Sequence, residues 1–280
     1  MEKNMVCDMY SGICKPSEEN EIETINFDVS APNLTLYYVT DPMCSHCWAF
    51  EPTLNKLLVQ YGHLFNFQMV MGGLLEEWGD GTIMEIDPVQ SSFPASRLYK
   101  AIQHVDSPAA AIKFTRLVRE AVFVFNKNIS DKAVLKHIVE DLYKGDNTID
   151  VDSILNIADS DIGQNLLAED FNLVSQLGVR GFPTIVIVNK DNQGTKIVGD
   201  RSLETYIDAL EKLDTSTTIE PNPLPKFSLY LNEQSSLFSK EIEVMYDIEE
   251  KDVPNFIDKD LDKSKYTISN ILGENYYEAK

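Results

Sequence analysis

Four short runs of apolar residues predict β-strands along the chain. They are rich in β-branched and aromatic residues and are bounded by proline, glycine or asparagine. The runs lie near residues 34–40, 65–71, 184–189 and 195–199. Between the first two, residues 44–61 have the pattern of a helix that ends before Gly62. The order strand, helix, strand is typical of an α/β fold with a crossover connection.

Between the second and third predicted strands the chain has a helical pattern. Over about residues 91–177, apolar positions recur at spacings of three and four residues, as on the buried face of an amphipathic helix. The clearest stripe consists of Ala95, Leu98, Ala101 and Ile102. We therefore expect a helical insertion within the α/β domain.

The C-terminal part follows a Thr- and Pro-rich segment, residues 215–225, which is typical of a stiff linker. Beyond it, two helical patterns precede a hairpin-like pair of strands that turns at Gly273. The predicted organisation is a flexible, cysteine-containing arm (1–30), an α/β domain (31–214) and a small helix–hairpin module (226–280) that resembles a winged helix. Within this module, we expect the acidic stretch 241–262 to be a solvated helix face.

The charge of the chain excludes some functions. Asp and Glu outnumber Lys and Arg by 45 to 24, so the formal net charge is −21. Such a charge repels phosphate backbones and anionic lipids, so we expect neither a nucleic-acid nor a membrane partner. No apolar run approaches the ~20 residues that span a bilayer, and the N-terminus has no secretory pattern. The expected location is the cytoplasm.

The strongest chemical signal is the sequence Cys44-Ser-His-Cys47 at a strand-to-helix junction. Unpaired N–H groups at a helix N-terminus stabilise a thiolate, so this is the expected place for a redox dithiol. We predict that Cys44 is exposed and attacks a substrate disulfide, and that Cys47, one turn into the helix, resolves the mixed disulfide. His46, between them, is expected to favour the thiolate.

A second signal precedes the third predicted strand, in the sequence Gly-Val-Arg-Gly-Phe-Pro-Thr at 178–184. Pro183 is a candidate cis proline, and its missing N–H would leave the neighbouring backbone free for a bound peptide. Met43, Trp48 and Phe182 flank the same predicted edge. Packing in the core is the simpler interpretation of these three residues, and an apolar seat for a peptide is the alternative.

The two motifs and their order resemble the DsbA class of thioredoxin-like proteins, and most closely its cytoplasmic FrnE-like branch of predicted protein-disulfide isomerases. The matching stretches are 41–48 (DPMCSHCW), 72–74 (GGL) and 178–184 (GVRGFPT), within about residues 30–213. This resemblance implies a thioredoxin fold with a helical insertion, the redox pair Cys44 and Cys47, and a cis proline at 183.

The C-terminal stretch 230–280 resembles the SpxH adapters, which deliver a transcription regulator to the ClpXP protease. The leading expectation is a thiol–disulfide oxidoreductase or isomerase that acts on protein disulfides, supplied with electrons by glutathione or a thioredoxin-type reductant and without a cofactor. The alternative is a protease adapter. A glutathione-dependent enzyme of the kappa class is disfavoured, because those proteins usually carry serine in place of the cysteine pair.

Cys7 and Cys14 lie in the predicted arm and allow three interpretations. The two cysteines could be unrelated thiols, ligands of a zinc site shared with Cys44, Cys47 or His46, or a second redox pair. The spacing does not match a common zinc finger, so no metal is expected. We predict a second redox pair that exchanges with the first.

Overall fold

The structure is a computed structural model that describes residues 32–73 and 91–280, together with the backbone of two short strands nearer the N-terminus. These strands are β1 (Met5–Cys7) and β2 (Cys14–Pro16), and they pair antiparallel with Cys7 opposite Cys14. The sequence did not predict them. The chain forms two compact units, Met1–Ala31 and Pro32–Lys280.

A four-stranded mixed sheet is the centre of the larger unit. Its strands are β3 (Leu34–Thr40), β4 (Phe65–Met71), β5 (Thr184–Asn189) and β6 (Gly194–Val198), in the order β4-β3-β5-β6. β3 and β4 are parallel and are joined by helix α1 (Ser45–Tyr61), whereas β5 and β6 run antiparallel to their neighbours. The four strands predicted from the apolar runs are confirmed to within one residue.

Within residues 91–183, the described part of the stretch between β4 and β5, five α-helices lie where the sequence predicted the insertion. They are α2 (Phe93–Val105), α3 (Pro108–Arg119), α4 (Lys132–Leu142), α5 (Val151–Asp159) and α6 (Asp161–Gln176). A π-helical turn, Glu120–Val124, continues α3, and α7 (Leu203–Leu213) follows β6.

Both faces of the sheet are covered, because alternate residues of each strand point to opposite sides. Leu36 and Tyr38 of β3 join the large apolar cluster formed with α1, α7 and the insertion helices. Val39 of β3 joins a smaller cluster on the other face, where it packs with Val174 of α6. The C-terminal end of β3, from which the cysteine motif follows, is therefore held in place on both sides.

The C-terminal region has an apolar core of its own. Its elements are α8 (Phe227–Gln234), β7 (Ser236–Phe238), α9 (Ser239–Tyr246), α10 (Val253–Ile257), β8 (Tyr266–Ile271) and β9 (Glu274–Ala279), and its strand order is β7-β9-β8. The predicted hairpin is present as β8 and β9. The sequence did not predict α8 or the three-residue strand β7. A domain boundary near residue 226 stays a prediction, since residues 32–280 form one compact unit.

The prediction of a solvated acidic face over residues 241–262 is wrong at Glu241. This carboxylate is only 5% exposed, because it faces the Arg116 guanidinium of the insertion rather than water. None of the helices in the described ranges is long and apolar enough to cross a membrane.

A candidate dithiol site

Cys44 and Cys47 lie at the junction between β3 and α1. Cys44 is the N-cap residue of α1, and its Sγ accepts the backbone N–H of Cys47 at 3.2 Å. A helix N-terminus leaves such N–H groups without intrahelical partners, so a sulfur in this position receives a hydrogen bond and the positive end of the helix dipole. The structure therefore brings the two cysteines together at the helix start.

The turn before Cys44 is fixed by Asp41. One carboxylate oxygen accepts the Met43 N–H at 2.8 Å, and the other accepts the Ser92 hydroxyl at 2.8 Å. The Asp41 carbonyl accepts the Cys44 N–H at 3.2 Å. These bonds hold the cysteine loop against the first turn of the insertion.

The expectation that Cys44 is exposed is wrong. Cys44 is 5% exposed and Cys47 is 0% exposed, because the preceding turn of Asp41, Pro42 and Met43 is itself buried. Cys44 is still the more accessible of the two thiols. His46, which lies between them, is exposed.

A buried guanidinium group, that of Arg119, lies next to the dithiol loop. Arg119, at the end of α3, is 0% exposed. Its Nη2 donates to the Thr40 hydroxyl at 2.5 Å and to the Asp41 carbonyl at 3.2 Å. The Thr40 hydroxyl in turn hydrogen-bonds the Cys47 sulfur. Because the Thr40 oxygen accepts from Arg119, its own proton is available to donate, and both the Cys47 sulfur and the Tyr38 oxygen are within its reach.

These groups make one of the two thiols acidic. Burial alone would raise the pKa of Cys47, but hydrogen bonding with the Cys44 thiol, the Arg119 charge and the Thr40 hydroxyl outweigh burial and lower that pKa to about 7. The same thiol–thiol hydrogen bond, together with burial, raises the pKa of Cys44. The pair therefore gives up one proton readily and retains the other. Because Cys44 Sγ also receives the Cys47 N–H, the negative charge is shared between the two sulfurs.

Trp48 has intramolecular packing partners. Its ring stacks on Phe123 with 6.2 Å between ring centroids, and the Arg116 guanidinium lies 4.6 Å from the Trp48 ring centroid. Phe182 packs elsewhere, against Gly72. The two aromatic side chains are thus held by different neighbours, Met43 is buried, and an apolar peptide seat formed by the three stays a prediction.

Pro183 lies at the same edge of the sheet as the dithiol. Thr184 pairs with Val39, so the start of β5 is beside the end of β3. The Phe182–Pro183 peptide bond is cis, as expected from the sequence. At Gly72 an added Cβ would lie 2.2 Å from the Phe182 ring, so this glycine lets the cis-proline loop approach the end of β4.

The buried charges Arg119 and Glu51 were not predicted from the sequence. A signal for them exists. The buried positions of α3 are Ala111, Phe114, Thr115, Val118 and Arg119, and those of α1 include Cys47, Phe50, Glu51 and Leu54. A charged residue occupies an apolar position on each stripe, so each charge requires a buried partner.

No group of three His, Cys, Asp or Glu side chains within residues 32–73 and 91–280 is arranged to hold a metal ion. The side chains of Cys7 and Cys14 lie outside the described part of the chain. The second redox pair that would involve them stays a prediction, and the disfavoured zinc site stays an untested alternative.

Comparison with known proteins identifies the fold family. The sequence model of the thioredoxin family matches residues 37–208. The chain belongs to the thioredoxin family. A solved thioredoxin-like structure, a putative protein disulfide isomerase from Nitrosomonas europaea, superposes with a TM-score of 0.52 at 20% identity and covers 64% of this chain and 95% of that one. The thioredoxin-like fold with a helical insertion is thereby confirmed.

Two relatives match over a longer part of the chain. The ClpXP adapter protein SpxH of Halalkalibacterium halodurans is 26% identical over 282 aligned residues, covering 89% of this chain and 88% of the relative. The SpxH of Bacillus subtilis is 25% identical over 247, covering 79% and 80%. An alignment over 89% of the chain cannot end at residue 208, so it includes part of the C-terminal region.

Proposed function

We propose that this protein is an adapter that binds a regulatory protein and presents it to the ClpXP protease. The observation that carries the proposal is the similarity to SpxH adapters over 89% of this chain and 88% of theirs. The similarity extends past the thioredoxin match into the C-terminal region, which a thioredoxin-family enzyme would not need for its chemistry.

The attachment of the C-terminal region supports an adapter. Arg116 of α3 binds both carboxylate oxygens of Glu241, and Lys56 of α1 binds the Val244 carbonyl at 2.9 Å and the Asp247 carboxylate at 2.6 Å. These contacts hold α9 against the thioredoxin fold. A client and a protease component can then bind to surfaces with a fixed relative position, which reduces the entropy lost on assembly.

The burial of the dithiol also favours an adapter. A disulfide in a folded or partly folded protein is bulky, and its sulfur must reach the attacking thiolate in line. With Cys44 only 5% exposed, such an approach requires the surrounding loops to move. This makes rapid turnover on protein disulfides the less favoured of the two functions.

A thiol–disulfide oxidoreductase is the second candidate, and the acidic thiol pair beside Pro183 favours it. In that reaction Cys44, the more accessible sulfur of the pair that shares one negative charge, attacks a protein disulfide, forms a mixed disulfide and releases one substrate thiol. Cys47 then attacks Cys44, which releases the second substrate thiol and leaves a Cys44–Cys47 disulfide. Glutathione or a thioredoxin-type protein would reduce it again. The residues proposed to line or tune this site are Met43, His46, Trp48, Phe182 and Pro183.

The proposed location for either function is the cytoplasm, where a dithiol is kept reduced. One experiment separates the two functions. Proteins that accumulate both in cells lacking this protein and in cells lacking ClpXP are identified by mass spectrometry. Each is then incubated with purified ClpXP, with and without this protein. We expect at least one to be degraded several-fold faster when this protein is added.

The matched variant carries Cys44→Ser and Cys47→Ser. An adapter retains its effect on ClpXP degradation in this variant, whereas an oxidoreductase loses insulin reduction and the cellular phenotype. If no protein accumulates in both strains, the adapter proposal is wrong. If the double variant abolishes the phenotype and the wild-type protein reduces insulin, the oxidoreductase is the better description.

A further inference from the structure

Two buried charges lie between the dithiol and the C-terminal region. Arg119 is 0% exposed, and its Nε–H has no hydrogen-bond partner among the described residues. Glu51 is also buried and occupies the apolar stripe of α1. Burying a charge costs several kcal/mol unless it is paired, and replacing a buried pair by apolar residues is often neutral or stabilising. Stability alone therefore does not explain these two residues.

The contacts of Arg119 begin at the dithiol. Nη2 of Arg119 reaches the Thr40 hydroxyl, which bonds Cys47, and the Asp41 carbonyl, which accepts the Cys44 N–H. Nη1 of the same guanidinium binds one oxygen of Glu51. Arg119 thus touches both the loop that carries the cysteines and an acid that faces away from them.

Glu51 continues the contacts outward. Its second oxygen accepts from Arg116 Nη1 at 3.3 Å. Arg116 then binds both oxygens of Glu241, with 2.9 Å between Nη2 and Oε2. Glu241 Oε2 also accepts the Phe238 N–H at 2.8 Å, at the start of α9. An unbroken series of contacts therefore runs from the cysteine loop to the backbone of the C-terminal region.

We propose that Arg119 is a positioning residue of the dithiol, and that the buried series Arg119–Glu51–Arg116–Glu241 couples the charge of the dithiol to the packing of residues 236–246. The coupling goes beyond the proposed function and is independent of whether the protein is an adapter or an oxidoreductase. In an adapter it makes the C-terminal region sensitive to the state of the thiols.

The sign of the coupling follows from the shared carboxylate. The Glu51 carboxylate pairs with both Arg119 and Arg116, so a stronger ion pair with one arginine weakens its ion pair with the other. Arg116 also binds Glu120, with 2.9 Å between Nε and Oε1. When Glu241 is neutralised, Arg116 is held more strongly by Glu120 and by Glu51. Its stronger pairing with Glu51 leaves Arg119 more positive charge to offer the sulfur. The loss of one negative charge acts in the same direction. Neutralising Glu241 therefore favours the thiolate.

Other groups also face the dithiol and must remain unchanged in a test. They are Tyr38 on β3, Asp41 in the turn and Glu51 on α1, with His46 on the exposed side of α1. A variant at Glu241 alters none of them. Glu241 is separated from the cysteines by the guanidinium groups of Arg116 and Arg119 and by the carboxylate of Glu51.

The experiment measures the pH dependence of alkylation by iodoacetamide in the peptide that carries Cys44 and Cys47, using mass spectrometry. We compare the wild-type protein with Glu241→Gln and with Asp247→Asn. Both variants remove one negative charge from contacts that attach α9, but Asp247 binds Lys56 and is outside the series. We expect Glu241→Gln to lower the midpoint by about 0.5 pH unit and Asp247→Asn to leave it within about 0.1 unit. Equal shifts in the two variants, or none in Glu241→Gln, would overturn the proposal.

A second background tests whether the effect passes through Glu51. In a Glu51→Gln protein, Glu241→Gln should move the midpoint by clearly less than in the wild-type background, because only the direct loss of charge remains. A shift of the same size would mean that Glu241 acts directly through space, and the series would be wrong. Arg116→Lys keeps the charge but loses the bidentate contact, and it replaces Glu51→Gln if that variant does not fold.

The reciprocal measurement needs no variant, because coupling acts equally in both directions. Oxidised glutathione converts the two thiols to a Cys44–Cys47 disulfide and releases two molecules of reduced glutathione. Without a thiolate, Arg119 no longer faces a negatively charged sulfur, so it pairs more fully with Glu51. Glu51 then interacts less with Arg116, and Arg116 binds Glu241 more tightly. We expect amide hydrogen exchange in residues 236–246 to be severalfold slower in the oxidised protein at neutral pH. Unchanged or faster exchange there would contradict the coupling.

Discussion

Thr40 and Asp41 show how few residues position the dithiol. The Thr40 hydroxyl lies between Arg119 and the Cys47 sulfur, and the Asp41 carbonyl accepts from both Arg119 and Cys44. Each polar atom fixes a neighbour in the cysteine loop. The low pKa of Cys47 therefore depends on buried polar geometry.

The acidity of Cys47 depends most directly on its partner thiol. In a Cys44→Ala variant the thiol–thiol hydrogen bond is lost, so the pKa of Cys47 should rise from about 7 by roughly 1 unit or more. The measurement is the pH midpoint of Cys47 alkylation, read from the peptide by mass spectrometry. Ser45→Ala changes an exposed neighbour within the same motif and should not move the midpoint. An unchanged midpoint in Cys44→Ala would show that Arg119 and Thr40 suffice.

Among the elements, the end of β4 and the loop before β5 depend on each other. Gly72 follows β4, and the Phe182 ring lies where its Cβ would be. Gly73 has a φ of +70°, and an added Cβ there would lie 2.8 Å from the Phe171 ring of α6. Gly72 and Gly73, which follow β4, thus leave room for the rings of Phe182 and Phe171 beside the dithiol site. This packing explains why the glycine pair occurs together with the cis-proline loop.

A methyl group at position 72 should disturb this packing. Gly72→Ala forces the Phe182 ring away, and we expect a loss of about 1–3 kcal/mol in the free energy of unfolding, as for other overpacked cores. The matched variant is Gly181→Ala in the same loop, where an added Cβ meets nothing within 4 Å. Denaturant unfolding of both proteins is the measurement. Equal stabilities would mean that the loop relaxes without cost.

The sequence predicts those elements whose apolar pattern is long enough to have a period. β5 is a nearly continuous apolar run, β3 and β4 are mostly apolar with few polar positions, and α2 has a full apolar stripe. β7 has only three residues, and Leu237 fits equally well as the first apolar position of the helix that follows. Its strand conformation is set by pairing with β9, far along the chain. No local pattern contains that information.

For the molecule as a whole, long-range ion pairs fix how α1, α3 and the C-terminal region pack together. Arg116 and Glu241 are 125 residues apart in sequence, and Arg119 and Glu51 are 68 apart. The sequence shows the cysteine motif and the proline, because their chemistry requires particular residue types at fixed spacing. It cannot show which acid meets which base, because 45 acids and 24 bases allow many pairings. The prediction of an exposed Cys44 was wrong for a related reason, since burial depends on how a whole loop packs.

The net charge of −21 should act on the stability of the entire protein. Like charges repel in the compact state, and salt screens charges on the surface more than buried pairs such as Arg119 and Glu51. We expect Tm to rise by about 2–5 °C between about 20 and about 200 mM NaCl, measured by differential scanning fluorimetry at neutral pH. The same titration at about pH 5, where many carboxylates approach protonation, should give a smaller rise. A Tm that falls with salt at neutral pH would mean that attractive surface pairs outweigh the repulsion.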